Sequence, residues 1–135
     1  MNDDDLLALA REARDRAFAP YSGFPVGAAL ETTTGEIFVG CNVENASYGL
    51  TVCAERNAVA TAVAQGYREF RKLALSTMAS EPTPPCGACR QVLVEFGAGL
   101  EIVSEADGRR SQWQLDVLLP ARFQFAPPHG GADEA

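Results

Sequence analysis

Apolar positions near the start of the chain repeat at helical spacing. Leu6, Leu7, Ala10, Ala13 and Ala17 share one face of "DDDLLALAREARDRA", and the acids that open it stand where a helix dipole favours them. A helix over 3–17 is predicted. "PYSGFP" breaks it, and "VGAALET" and "EIFVGC", flanking "TTG", predict an antiparallel hairpin with strands at about 25–31 and 36–41. A helix at about 53–65 ends before Gly66, and "RKLALSTM" predicts a strand after it. A second helix covers about 86–96 and stops at "GAG". "LEIVS" and "RRSQWQLDVLLP" then predict a strand, a last strand and a short helical or irregular piece.

Strand–helix–strand–helix–strand implies an α/β fold with right-handed crossovers and largely parallel pairing from the second strand onward. Each helix then starts where the preceding strand ends, so both N-termini meet at the sheet edge where open α/β folds bind ligands. Residues 41–44 leave the second strand at that edge, and "YSGF" enters the first strand there. The tail over 126–135, "APPHGGADEA", is rich in Pro, Gly and acid and is expected to be loose. No internal repeat or linker divides the 135 residues, which suit one domain over 1–125.

Charge narrows the partners. A net charge of -7, with 11 basic residues and no basic run longer than a pair, argues against a nucleic-acid partner. No apolar run approaches the length of a membrane span. "MNDDDLLALA" is acidic where a signal peptide would be basic, so a cytoplasmic location is expected. In a reducing compartment the four cysteines are more often metal ligands or catalytic groups than disulfides.

Three of those cysteines sit at helix starts. Cys53 opens one helix in "TVCAERNAVA", and Cys86 and Cys89 open the other in "PPCGACRQVL". An i, i+3 pair lies on one helical face, and N-terminal dipoles favour the thiolates a metal binds. Three protein ligands with an open fourth position is the pattern of catalytic zinc, whereas structural zinc takes four. The alternatives are a structural four-cysteine site completed by Cys41, a thioredoxin-like redox pair at "PCGAC", and inert buried thiols. The first two leave Glu55 unexplained, and the third fits poorly with two clusters at helix starts.

Glu55 stands at the head of an Ala-rich helix that reads as buried, where a carboxylate is costly unless compensated. Two positions after Cys53, it could reach the open coordination site and shuttle a proton for a bound water. As a lone feature it would be a favourable first-turn acid. The only histidine, His129, lies in the tail, so proton chemistry falls to Glu55. Zinc with three thiolates carries a formal charge of about -1, which weakens its acidity. A guanidinium on the sulfurs would withdraw density, and Arg56 is the candidate, with Arg90 behind it and a solvated surface arginine as the alternative.

With these residues in hand, the chain resembles the cytidine deaminases of the small homotetrameric type. The likeness runs through "YSGFPVGAAL", "GCNVENASYG", "CAERNA", "PCGACRQVLVEF" and "LLPARF". Zinc deaminases as a class show a ligand-x-Glu followed by Pro-Cys-x-x-Cys. The first ligand here is cysteine. The resemblance implies a three-layer α/β/α fold with a mixed five-stranded sheet whose first strand is antiparallel. It implies one zinc per chain on Cys53, Cys86 and Cys89, Glu55 as proton shuttle, and hydrolytic deamination of cytidine and deoxycytidine in pyrimidine salvage.

It further implies that Asn42 and Glu44 hydrogen-bond the sugar hydroxyls, where they would otherwise read as polar turn residues. Phe24 would pack near the pyrimidine or ribose, with backbone near Ala54 beside the reacting centre. Ala46 and Tyr48 would approach a neighbouring subunit's site in a tetramer with shared active sites. Phe123 would stack on the base from another subunit. The family often continues "LLPARF" with Gly-Pro or a small polar residue, whereas this chain has "QFAPP", so Phe125 could share that role. A deaminase of modified cytosine nucleosides of the blasticidin S type resembles the chain at the zinc motif, but "NVENASY" favours plain cytidine. A polynucleotide deaminase is disfavoured by the acidic surface, and a non-catalytic zinc or redox module is the remaining rival.

Overall fold

A computed structural model describes residues 1–125; the tail expected to be loose, His129 included, lies outside the described residues. The first helix, α1, covers Asp3–Arg14, with Asn2 as its cap: Oδ1 accepts from the N–H of Asp5 at 2.8 Å. It stops three residues before its expected end, and the chain then turns so that Phe18 pairs with Val43. There follow β1 (Val26–Thr32), β2 (Ile37–Cys41), a short 3₁₀ turn at Tyr48–Leu50, and α2 (Ala54–Ala64). The second half comprises β3 (Phe70–Thr77), α3 (Gly87–Val94), β4 (Glu101–Ala106), β5 (Arg109–Gln114) and the one-turn α4 (Leu115–Leu118).

The five strands form one mixed sheet in the order β2-β1-β3-β4-β5. β1 runs antiparallel to both β2 and β3, β3 pairs parallel with β4, and β5 returns antiparallel to β4. The expected hairpin and the antiparallel first strand are present. The expected run of parallel pairing is not. β2, β3 and β4 do point the same way, but β1 lies between β2 and β3, so only β3 and β4 form a parallel ladder. Burial explains the order. β1 is buried at six of its seven positions, which suits a strand covered on both faces, while β2 is only half-buried and takes the edge. The last strand turns back at Asp107 and Gly108, both at positive φ (52° and 72°), as a two-residue hairpin turn requires.

Alternation along the strands builds two cores. Leu6, Leu7 and Ala10 of α1 pack on Ala29, Ala74 and Val103 on one face. On the other, Ala54, Ala58, Val59 and Ala62 of α2 join Leu93 of α3 and Leu115 of α4 over Ala28, Leu30, Leu73, Leu75 and Ile102. Helices thus cover both sides of the sheet, giving the three layers. Glycine sets two of the contacts. A Cβ at Gly27 would lie 1.8 Å from the carbonyl oxygen of Ala10, and one at Gly40 would lie 2.4 Å from that of Ala54 and 2.5 Å from the nitrogen of Ala58. The first turn of α2 therefore rests directly on the β2 main chain.

Candidate active site

Because α2 and α3 lie on one face and begin beyond the same sheet edge, their N-termini converge. Cys53 is the N-cap of α2, Cys86 is the N-cap of α3, and Cys89 sits in the first turn of α3. Their Sγ atoms all lie within 4.8 Å of one another, and Cys41 is not among them. Thiolates about 2.3 Å from a shared tetrahedral zinc stand roughly 3.8 Å apart, so the three sulfurs need only small movements to enclose one ion. With Cys86 exposed and Cys89 buried, the cluster is reachable from one side. The donor set therefore fits zinc with three protein ligands, and the structural four-cysteine site does not form.

Electrostatics sort the thiols. A hydrogen bond from Cys89, with help from Arg56, pulls the Cys53 thiol down from an ordinary 9.0 to about 5. Its hydrogen bond to Cys53, together with burial, pushes the Cys89 thiol up. In the absence of a cation the negative charge thus falls on Cys53 and the proton stays on Cys89; a divalent ion reverses the cost of a second thiolate there. Arg56 donates from Nη2 to Cys53 Sγ at 3.4 Å and to the carbonyl of Thr51 at 3.5 Å. Arg90 points elsewhere: its Nε donates to the Pro85 carbonyl at 2.7 Å and Nη1 to the Leu118 carbonyl at 2.8 Å. It braces the segment before Cys86 against the end of α4 and touches no sulfur.

Glu55 is 5% exposed, beside the thiols on the first turn of α2. Burial raises its carboxyl pKa, and the negative charge on Cys53 adds to the rise. A carboxyl so placed exchanges a proton more readily near neutral pH than an exposed glutamate does.

The other residues expected at the site lie mostly on the loops that flank β1, β2 and α4, with Ala54 on α2. Asn42 is 8% exposed, and its side chain ties down the entry to β1: Oδ1 accepts from the N–H of Val26 at 2.8 Å and Nδ2 donates to the carbonyl of Phe24 at 2.9 Å. One amide hydrogen is left for a ligand. Glu44 is half-buried and held by Tyr21 and Ser22. Phe24 and Ala46 are exposed, and Ala54 is buried. Tyr48 is exposed and meets Tyr21 edge-on at a 6.0 Å centroid distance. Phe123 and Phe125 are both exposed; Gln91 donates to the Phe123 carbonyl at 3.3 Å.

Two contributors are not among the residues singled out from sequence. Asn57 donates from Nδ2 to the Cys41 carbonyl at 2.8 Å, pinning α2 to the end of β2. An amide directly after the charged pair Glu55 and Arg56, where the helix turns to an Ala-Val run, is the signal for it. Ser22 is the second, and it sits in the quoted "YSGF".

A zinc-fitting thiol triad with a buried acid beside it, at the ligand-binding edge of an α/β sheet, defines the class of zinc-dependent hydrolytic enzymes. The profile "Cytidine and deoxycytidylate deaminase zinc-binding region" matches residues 1–104. A cytidine deaminase of Sporosarcina psychrophila is 43% identical over 125 residues, covering 91% of this chain and 92% of that protein. One of Halalkalibacterium halodurans is 48% identical over 125 residues, covering 91% and 95%. The crystal structure of cytidine deaminase from Burkholderia pseudomallei superposes with a TM-score of 0.89 at 49% identity, covering 91% of this chain and 100% of that one. The chain belongs to the cytidine and deoxycytidylate deaminase family.

Proposed function

We propose that the protein deaminates cytidine and deoxycytidine hydrolytically, in pyrimidine salvage, with one zinc ion per chain held by Cys53, Cys86 and Cys89. The observation that carries this is the burial of the Glu55 carboxyl against the thiol triad at two converging helix starts. When bound, zinc supplies the Lewis acidity that brings hydroxide within reach of neutral pH. Glu55 accepts one proton of the attacking water and delivers it to ring N3, which makes C4 electrophilic. As the C4–O bond forms, backbone groups at Ala54 and Cys86 stand beside the tetrahedral carbon. Glu55 then carries the second proton to the exocyclic nitrogen, the C4–N bond breaks, and ammonia leaves a C4 carbonyl.

Asn42 and Glu44 take the sugar hydroxyls in this reading, and Phe24 packs near the base or ribose. Glu55→Gln tests it directly. The variant retains zinc by metal analysis and loses at least about a thousandfold in kcat, measured as the fall in cytidine absorbance. Near-normal turnover in that variant overturns the role of Glu55.

The assembly belongs to the same proposal: a homotetramer with shared active sites, in which Ala46, Tyr48 and Phe123 or Phe125 reach a neighbour's substrate. Support comes from large apolar side chains left bare on the surface, with Tyr48 71%, Phe123 73% and Phe125 71% exposed. Sedimentation equilibrium giving four chains per particle is the expected result, and a monomer would exclude sharing. A cytoplasmic location agrees with this reading, and no helix among the described residues is long and apolar enough to cross a membrane.

A further inference from the structure

We propose that Ser22 is a positioning residue for sugar recognition: its hydroxyl fixes the Glu44 carboxylate in one orientation and leaves that carboxylate a single acceptor position for a nucleoside hydroxyl. The inference rests on the reading above that Glu44 meets the sugar.

Three donors already occupy Glu44. Oε1 accepts from the backbone N–H groups of Tyr21 at 3.0 Å and Ser22 at 3.1 Å, and Oε2 accepts from the Ser22 hydroxyl. The hydroxyl's direction is set from behind. Ser22 Oγ accepts from the N–H of Phe24 at 3.0 Å, so its own proton is turned toward Glu44. Gly23, at a φ of 65°, makes the turn that aims all three donors at one carboxylate. The other end of Glu44 is anchored too, its N–H donating to the Phe18 carbonyl at 2.9 Å.

A carboxylate offers about four lone-pair positions. Both on Oε1 are filled and Ser22 takes one on Oε2, which leaves one. Such a group accepts an O–H from a ligand and has no proton to give. The Ser22 hydrogen bond also leads the interactions that hold the Glu44 carboxyl below its usual range, so it stays ionised. A half-exposed glutamate would otherwise sample several rotamers. Here that freedom is lost before any ligand arrives, which favours binding over turnover.

The experiment compares zinc-loaded wild type, Ser22→Ala and Ser22→Thr on cytidine and on 2′,3′-dideoxycytidine, which lacks both ring hydroxyls. Ser22→Ala raises KM for cytidine about tenfold, the size of one lost hydrogen bond to a charged group, while kcat changes by less than about twofold. Ser22→Thr, which keeps the hydroxyl, restores KM. Against 2′,3′-dideoxycytidine the loss in kcat/KM for Ser22→Ala shrinks below about twofold. Should the alanine variant fail to fold, Ser22→Cys, similar in shape but a poor donor, takes its place. Equal losses on both substrates, no loss on cytidine, or failure of threonine to restore KM each overturn the proposal while the function stands. A wild type inert on cytidine removes the functional reading itself, and this proposal with it.

Discussion

Arg56 reaches Cys53 from one turn along the same helix, Nη2 to Sγ at 3.4 Å, while its Nε is buried without a hydrogen-bond partner. The guanidinium is thus kept at the sulfur although one of its donors goes unsatisfied, which costs stability. Arg56→Gln is expected to retain zinc and lose about ten- to a hundredfold in turnover, as removal of a ligand's hydrogen-bond partner does elsewhere. Zinc content by atomic absorption and kcat on cytidine are the two readouts. If both are unchanged, Arg56 has no part in offsetting the thiolate charge.

The asymmetry among the thiols has a chemical signature in metal-stripped protein. Cys53 becomes a thiolate as pH rises through about 5. Iodoacetamide at neutral pH should therefore label Cys53 first, with a rate that climbs around that pH, and zinc should protect it. Peptide mapping by mass spectrometry gives the order. A labelling midpoint near the ordinary thiol value of 9.0 would contradict the assignment.

The close seat of α2 on β2 leaves no room for a methyl group. Gly40→Ala places a Cβ against main-chain atoms at 2.4 and 2.5 Å, neither of which can rotate away. We expect a loss of about 1–3 kcal/mol in urea unfolding. Zinc affinity should fall as well, because the same helix turn carries Cys53 and Glu55. An unchanged midpoint with full zinc content would mean that the helix shifts freely.

On the far face, Glu105 accepts from Arg11 Nε and Nη2 at 2.8 and 2.7 Å and from the buried Ser76 hydroxyl at 2.9 Å. Burial pushes its carboxyl up, but the hydrogen bonds from Arg11 and Ser76 outweigh it and the pKa stands below the usual 4.5. A depressed folded pKa means stability that is fully present above the unfolded value and lost as pH falls through the folded one. Glu105→Gln should therefore cost about 1 kcal/mol at pH 7. The gap from wild type should close below pH ~4. Urea titrations at several pH values check this, and a gap that persists in acid would place the effect in packing.

Much of the site was readable because its chemistry is local. Cys53, Glu55, Cys86 and Cys89 fall at helix starts that periodicity already located, and the alternation of elements put both starts at one edge. Strand order was less readable, since a right-handed crossover from β2 to β3 is compatible with either neighbour. The small, unbroken run in β1 was the clue that it would be central. The antiparallel return of β5 was also signalled, by Asp107-Gly108, a pair suited to a tight hairpin. Ser22, Asn42 and Asn57 could not have been assigned their partners from sequence. Each bonds to a segment brought near only by folding, and any of them reads alone as an ordinary polar residue.

Gly27 and Gly40 bring backbone against backbone on opposite sides of the sheet, with no side chain between as cushion. Helices seated in that way have little travel: sliding one of them by even a fraction of an ångström sets main-chain atoms against each other. Of the segments expected at the site, the loop from Tyr21 to Phe24 is held instead by side chains, through its bonds to Glu44 and Asn42. Cys53 and Glu55, at the start of α2, therefore stand at a set height over the sheet, and it is the α3 side that must bring Cys86 and Cys89 to them.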